Sequence, residues 1–364
     1  MSMFLSTKPD WESCKERYLA WWSHEDFGRA GISVTAPLSP EKGECPQPPE
    51  NAARWTDEDY ICRLMDYKMN NTYYGGEALP VWNAGYPGWD AMPVFNGGGI
   101  EMDANTGWWT PSMGEGDLVD YDPEKIVINR DSPWYKKSAV FRELAVSGSK
   151  GRALPSTGAI GGCGDTLAAL RSTLKLLYDI KDAPDEVLNF ELRLMDLWIE
   201  HYTERHADLR EAAEGSTGYF ELWSPGKFYA SACDFAYSIS PADFERCFLP
   251  AIDKQTRYLD HTIHHVDGLG NFLHLDALFS LNRLQAFQIL PGAGKGSPLN
   301  YPETLFKVQR AGKNLHISIE PGEVKHALGM LSSRGLMIIT QAGTKEEADE
   351  IIRYVEKNSV VRKV

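Results

Sequence analysis

Apolar residues along this chain fall into two alternating rhythms, and the alternation predicts the architecture. Short runs of period two, bounded by Gly, Pro or Asp, read as strands over 31–36, 78–83, 153–157, 219–223, 262–267, 286–290, 315–320 and 336–340. Between the later runs apolar residues recur every three to four positions, predicting helices over 165–178, 184–214, 241–258, 272–280, 302–311, 321–333 and 345–357. Ser240-Pro241 and Tyr301-Pro302 place proline at a first helical position, and Thr344 precedes two glutamates as an N-cap does. Repeated strand–helix units imply parallel strands with right-handed crossovers. Eight such units favour an α/β fold of the closed (β/α)8 TIM-barrel kind over an open doubly wound sheet. No GxGxxG follows an early strand, and the glycine-rich stretch at 97–107 lacks a following Lys-Ser/Thr, so it reads as a turn.

Two segments break the rhythm. Residues 1–29 carry ERYLAWW and predict an N-terminal helical extension on the outside of the barrel. Residues 83–150, rich in Trp, Gly and Pro (GYPGWDAMP, TGWWTPSMGEGD, NRDSPWY), predict a lid-like insertion over the top face. Residues 1–364 then form a single domain.

The chemistry concentrates between Tyr258 and Gly294. Side chains alternate along a strand, so His265 and Asp267 share one face and His264 takes the other. A histidine and a carboxylate at the carboxyl end of a barrel strand are placed to hold a metal or a substrate. Glu221, in YFELWSPG, is expected at the end of the fourth strand with Trp223 on the same side. There desolvation would raise its pKa for general-acid work, unless it simply pairs with Lys227. Asp267, His265 and Glu221 form the expected catalytic set. Asn83, Trp108, Trp109, Trp223, Tyr229, Asp234 and Gln341 form the expected substrate-binding set. Glu320 is expected at the rim as a metal ligand beside His265 and Asp267, or as a helix cap.

Composition narrows the partners. Of 364 residues 43% are hydrophobic, enough for a large core. The net charge of −14 argues against nucleic acid, which requires clustered Lys and Arg. No apolar run approaches the roughly 20 residues a membrane span needs. The N-terminus does not read as a secretory signal, and six scattered cysteines without a CxxC suit reduced thiols, so a cytoplasmic protein is expected.

With these elements placed, SACDFAYSISPADFERCFLPAIDKQ (231–255), HTIHHVDGLGNFLHLDAL and AFQILPGAG resemble the uroporphyrinogen decarboxylase superfamily. The resemblance covers roughly 150–355 and is nearest to the corrinoid-dependent methyltransferase branch. Its marks are S-x-x-x-F-x-x-x-x-L-P from Ser240 to Pro250 and the H-x-D-G at His265. It implies a (β/α)8 barrel and transfer of a methyl group from a small O- or N-methylated substrate to a corrinoid carried by a separate protein, because no D-x-H-x-x-G corrinoid motif is present here. The segment 32–50 lacks arginine, which removes the grip that the heme-pathway enzyme has on its substrate's carboxylates. The branch holds zinc through His-x-Cys and a later cysteine, whereas this chain has His265-Val266-Asp267 and no cysteine after Cys247. A divalent metal such as zinc would therefore sit among N and O ligands, as a Lewis acid. Two alternatives stand beside this reading: a decarboxylase or lyase using Lys227 or Lys295 as its cation, and a non-catalytic small-molecule binder.

Overall fold

The computed structural model describes residues 5–83 and 88–363; residues 85–87 of the GYPGWDAMP motif lie outside them. The molecule is an α/β fold organised on a seven-stranded, mostly parallel sheet. In spatial order its strands are Thr72–Gly76, Gly31–Pro37, Leu336–Gln341, Asn314–Ser318, Ala286–Leu290, His261–Asp267 and Phe228–Ala232. Every neighbouring pair is parallel except Gly31–Pro37 with Thr72–Gly76. Val81–Trp82 and Leu154–Pro155 form a separate parallel pair. Among the described residues the seven-stranded ladder does not close on itself.

The parallel strands are buried on both faces, as helices covering a sheet require. On His261–Asp267, Val266 packs into the outer layer with Phe248 and Leu275, while Ile263 packs inward with Ala286 and Met337. The inward row continues through His265 to Asp267. Several helices begin as expected: the Ser240 hydroxyl accepts the Asp243 N–H (3.2 Å) and Thr344 accepts that of Glu347 (3.1 Å).

Four expectations change. The fourth strand is Phe228–Ala232, not 219–223, where Glu221 takes a left-handed backbone (φ 56°) that no strand accommodates. The antiparallel strand Thr72–Gly76 has no counterpart in the periodicity. The stretch 83–150 is not all loop: it contains the hairpin Gly99–Met102/Gly107–Thr110 and the 17-residue helix Pro133–Ser149. The N-terminal helix Trp11–Trp22 lies across the amino ends of the strands, where Trp11, Trp21 and Trp22 pack with Trp223, Phe228 and Ile263.

Candidate metal centre

Three strand ends and turns converge at the carboxyl side of the sheet. His265 and Asp267 come from the strand His261–Asp267, and Asp234 opens the short 3-10 helix Asp234–Ser238 that follows Phe228–Ala232. Ligand atoms of Asp234, His265 and Asp267 all lie within 4.8 Å of one another. His265 Nε2 stands 3.7 Å from Asp267 Oδ2. His265 Nδ1 lies 2.5 Å from Gln288 Oε1, the residue directly across the parallel register. An amide oxygen only accepts, so Nδ1 carries a proton and Nε2 faces the two carboxylates, where a bound cation would take the place of its proton. One imidazole nitrogen and two carboxylates, with the imidazole braced from behind, form a donor set that fits a divalent cation.

The turn after Asp267 explains the H-x-D-G spacing. Gly268 has φ 84°, and a Cβ there would stand 2.8 Å from the Tyr237 ring. Only glycine permits that close approach, which brings the Asp234–Ser238 segment against the end of the histidine strand.

Electrostatics at the site reflect crowded carboxylates. Burial draws the His265 imidazole down, but Asp267, Asp234 and Gln288 together outweigh it and hold it above its ordinary value. Burial raises Asp234, which His265 partly offsets and Asp267 reinforces. Asp165, the first residue of the helix Asp165–Arg171, is pushed up to about 7 by burial and then by the charge of Asp234, against two backbone N–H groups and His265. Those N–H groups belong to Asp234 (3.1 Å, to Oδ2) and Phe235 (2.8 Å, to Oδ1).

Two clefts meet at Asp234 and Tyr237. One, of about 740 Å³, is bounded by Trp109, Pro111, Asp165 and Asp234. The other, of about 320 Å³, is bounded by Asp234, Asp267, Gly292 and Lys295. A third, of about 1030 Å³, lies over neighbouring strand ends at Thr35, Ser318, Glu320 and Gln341.

The residues expected at the site therefore separate. His265, Asp267 and Asp234 come together, with Trp109 on the adjoining cleft wall. Trp108 alternates to the other face of its hairpin and points to solvent. Gln341 is exposed on the third cleft. Glu320 shares that cleft outside the metal group, and its backbone N–H binds Glu323 (3.0 Å), so it opens the next helical turn instead of supplying a ligand. Asn83 borders a distinct small cavity with Asp90 and Arg205.

Glu221 sits in a turn, exposed at its surface yet walled by protein. Desolvation raises its carboxyl, as expected, with Lys68 opposing. Neither Asp234 nor His265 contributes to that shift, and it is Phe220, not Glu221, whose ring meets His265 (5.2 Å between centroids). Trp223 is buried at the opposite end, 5.3 Å from Trp11, its indole N–H bound to the Ala213 carbonyl (2.9 Å). Tyr229 faces outward toward Trp198, and its hydroxyl accepts the Ile160 N–H (2.9 Å) and donates to Gly161 (3.2 Å). Neither aromatic is available to a substrate. His264, on the outer face, is tied to the Ser231 hydroxyl at 2.7 Å.

Sequence reasoning missed Asp165 and Gln288. The helix starting at Asp165 after GGCG was the available signal for the first. The second was visible only as a polar residue inside a buried strand.

No helix among the described residues is long and apolar enough to cross a membrane. Compared with known protein families and with curated proteins, the sequence matches none.

Proposed function

We propose that this protein is a metal-assisted methyltransferase that removes a methyl group from a small O- or N-methylated substrate and passes it to the corrinoid of a separate protein. The observation that carries the metal is the convergence of Asp234, His265 and Asp267 within 4.8 Å. The direction of the chemistry rests on the sequence resemblance described above. The closed eight-stranded barrel belongs to the same proposal. Its support is eight segments in chain order, six mutually parallel in the main sheet and two parallel to each other in the pair Val81–Trp82/Leu154–Pro155.

In this reading Asp234, His265 and Asp267 hold a divalent cation, with zinc the first candidate for an N/O site of this size. When bound, the cation supplies Lewis acidity to the ether or amine atom that loses its methyl group. The chain's own residues prepare that event. Gln288 keeps His265 in the tautomer that presents Nε2. Asp165 fixes the backbone on which Asp234 is mounted. Trp109 and Tyr237 border the adjoining clefts. No thiol joins the group, since Cys233, next to Asp234 in sequence, is buried and burial pushes its pKa well above the ordinary thiol range.

The test is elemental analysis of purified protein, followed by methyl transfer to a reduced corrinoid protein from methoxylated aromatics and methylated amines. One equivalent of metal, lost in His265→Ala and Asp267→Ala together with transfer, supports the proposal. Protein that binds no divalent metal, or that binds it and transfers no methyl group, overturns it.

A further inference from the structure

We infer that the small molecule handled at Asp234, His265 and Asp267 carries a carboxylate, and that Lys295 is the residue that reads it. This inference rests on the metal reading above and adds the substrate's charge.

Lys295 lies on the loop after the strand Ala286–Leu290 and lines the 320 Å³ cleft together with Asp234 and Asp267. Among the described residues its ammonium makes no ion pair or hydrogen bond. Among those lining the three clefts at this end of the sheet it is the one Lys or Arg. Lys227, the other cation considered from sequence, is remote: it precedes the strand Phe228–Ala232 at the amino end, its ammonium 4.0 Å from the Tyr258 ring centroid.

An ammonium beside two carboxylates gains Coulomb energy by collapsing onto them. Lys295 makes no such pair, and it stands on a loop of constrained backbone. Gly292, Gly294 and Gly296 have φ of 98°, 74° and 75°, conformations that side chains disfavour. The Lys295 N–H donates to the Gly292 carbonyl (3.2 Å), and the Tyr301 hydroxyl donates to the Lys295 carbonyl (3.4 Å). At Gly292 a Cβ would stand 3.2 Å from Gly268 Cα and 3.7 Å from Asp267 Oδ1, so the loop that carries Lys295 passes close over the metal ligand.

The cleft lining thus combines a cation-binding group with an ammonium that no carboxylate pairs. A ligand that spans it brings a donor atom to the first and a negative charge to the second. One ammonium balances the single charge of a carboxylate. A simple methylamine, cationic itself, would leave Lys295 unmatched and repelled.

The experiment uses the full chain loaded with Zn²⁺ or Mn²⁺ and calorimetric titration of matched pairs: 4-methoxybenzoate against 4-methoxybenzamide, and N,N-dimethylglycine against its amide. In at least one pair the acid is expected to bind tenfold or more tightly than the amide. Lys295→Gln should bring that ratio near one and Lys295→Arg should keep it, with metal affinity unchanged in both variants. Equal affinity within every pair, absence of binding by all four probes, or a preference that survives Lys295→Gln overturns the inference. Failure to take up metal at all sinks the parent reading instead, and the two failures are told apart by the metal titration alone.

Discussion

Asp165 spends both carboxylate oxygens on the backbone of the segment that carries Asp234, one on the Asp234 N–H and one on the Phe235 N–H. It touches the candidate metal centre only through another residue's main chain. Its role is to position, and its removal should be felt as a loss of metal affinity.

Asp165→Asn keeps one acceptor oxygen and turns an amide nitrogen toward a backbone donor. We expect metal affinity to fall about tenfold, the lower end of what outer-sphere changes cost. The metal-free protein should melt within a few degrees of the parent. A metal titration paired with a melt in chelator checks this; equal metal affinity would leave Asp165 a purely structural residue.

Gln288→Leu removes the acceptor that holds the proton on His265 Nδ1. The imidazole is then free to place its proton on Nε2 or to rotate, and metal affinity should drop about 10–100-fold. Gln288→Glu keeps an acceptor and should restore binding. Nitrogen-15 shifts of the ring in the metal-loaded protein would report the tautomer directly, and a ring without a proton on Nδ1 would contradict the assignment.

Glu191, fully buried on the helix Pro184–Leu209, accepts the Cys163 thiol (2.9 Å) and the Gly164 N–H (3.0 Å) on one oxygen. Burial pushes its pKa up to about 7, against the pull of those two donors. The folded state therefore holds this proton more tightly than the unfolded chain does. Stability should fall as pH rises from the ordinary carboxylate range to about 7 and then level off. Asp165, also about 7, adds a parallel slope. Glu191→Gln should flatten the curve between pH 5 and 7 without abolishing it. Urea midpoints across that range, in chelator, measure it, and parallel curves for parent and variant would refute it.

Trp223→Ala empties a site packed against Trp11 and Tyr18 and should cost about 3–5 kcal/mol of stability, as large-to-small aromatic changes in cores do. Metal affinity of the protein that remains folded should be unchanged, because Trp223 lies at the amino end of the strands. A selective loss of ligand binding would return it to the substrate pocket.

What the sequence determined by itself is what backbone periodicity controls. Alternation along one strand places His265 and Asp267 on a common face and His264 on the other, whatever the rest of the chain does. The strand–helix rhythm likewise calls for a mostly parallel sheet. Only the tertiary structure decided which distant residues join that face. Asp234 arrives from the neighbouring strand's end, 31 positions earlier in the chain, and Gln288 through cross-strand register; neither relation leaves a trace in local pattern. The same holds for which end of the sheet a residue occupies. Trp109 and Trp223 look alike as aromatic residues near turns, yet one walls the cleft and the other seals the opposite end. Lys227 and Lys295 differ in the same way. Glu221 was misplaced because an aromatic run imitates a strand, while the backbone turns left-handed there and the strand begins seven residues later. Periodicity is a property of a segment, whereas a site is a property of the contacts between segments, and those are set by burial of the whole chain at once.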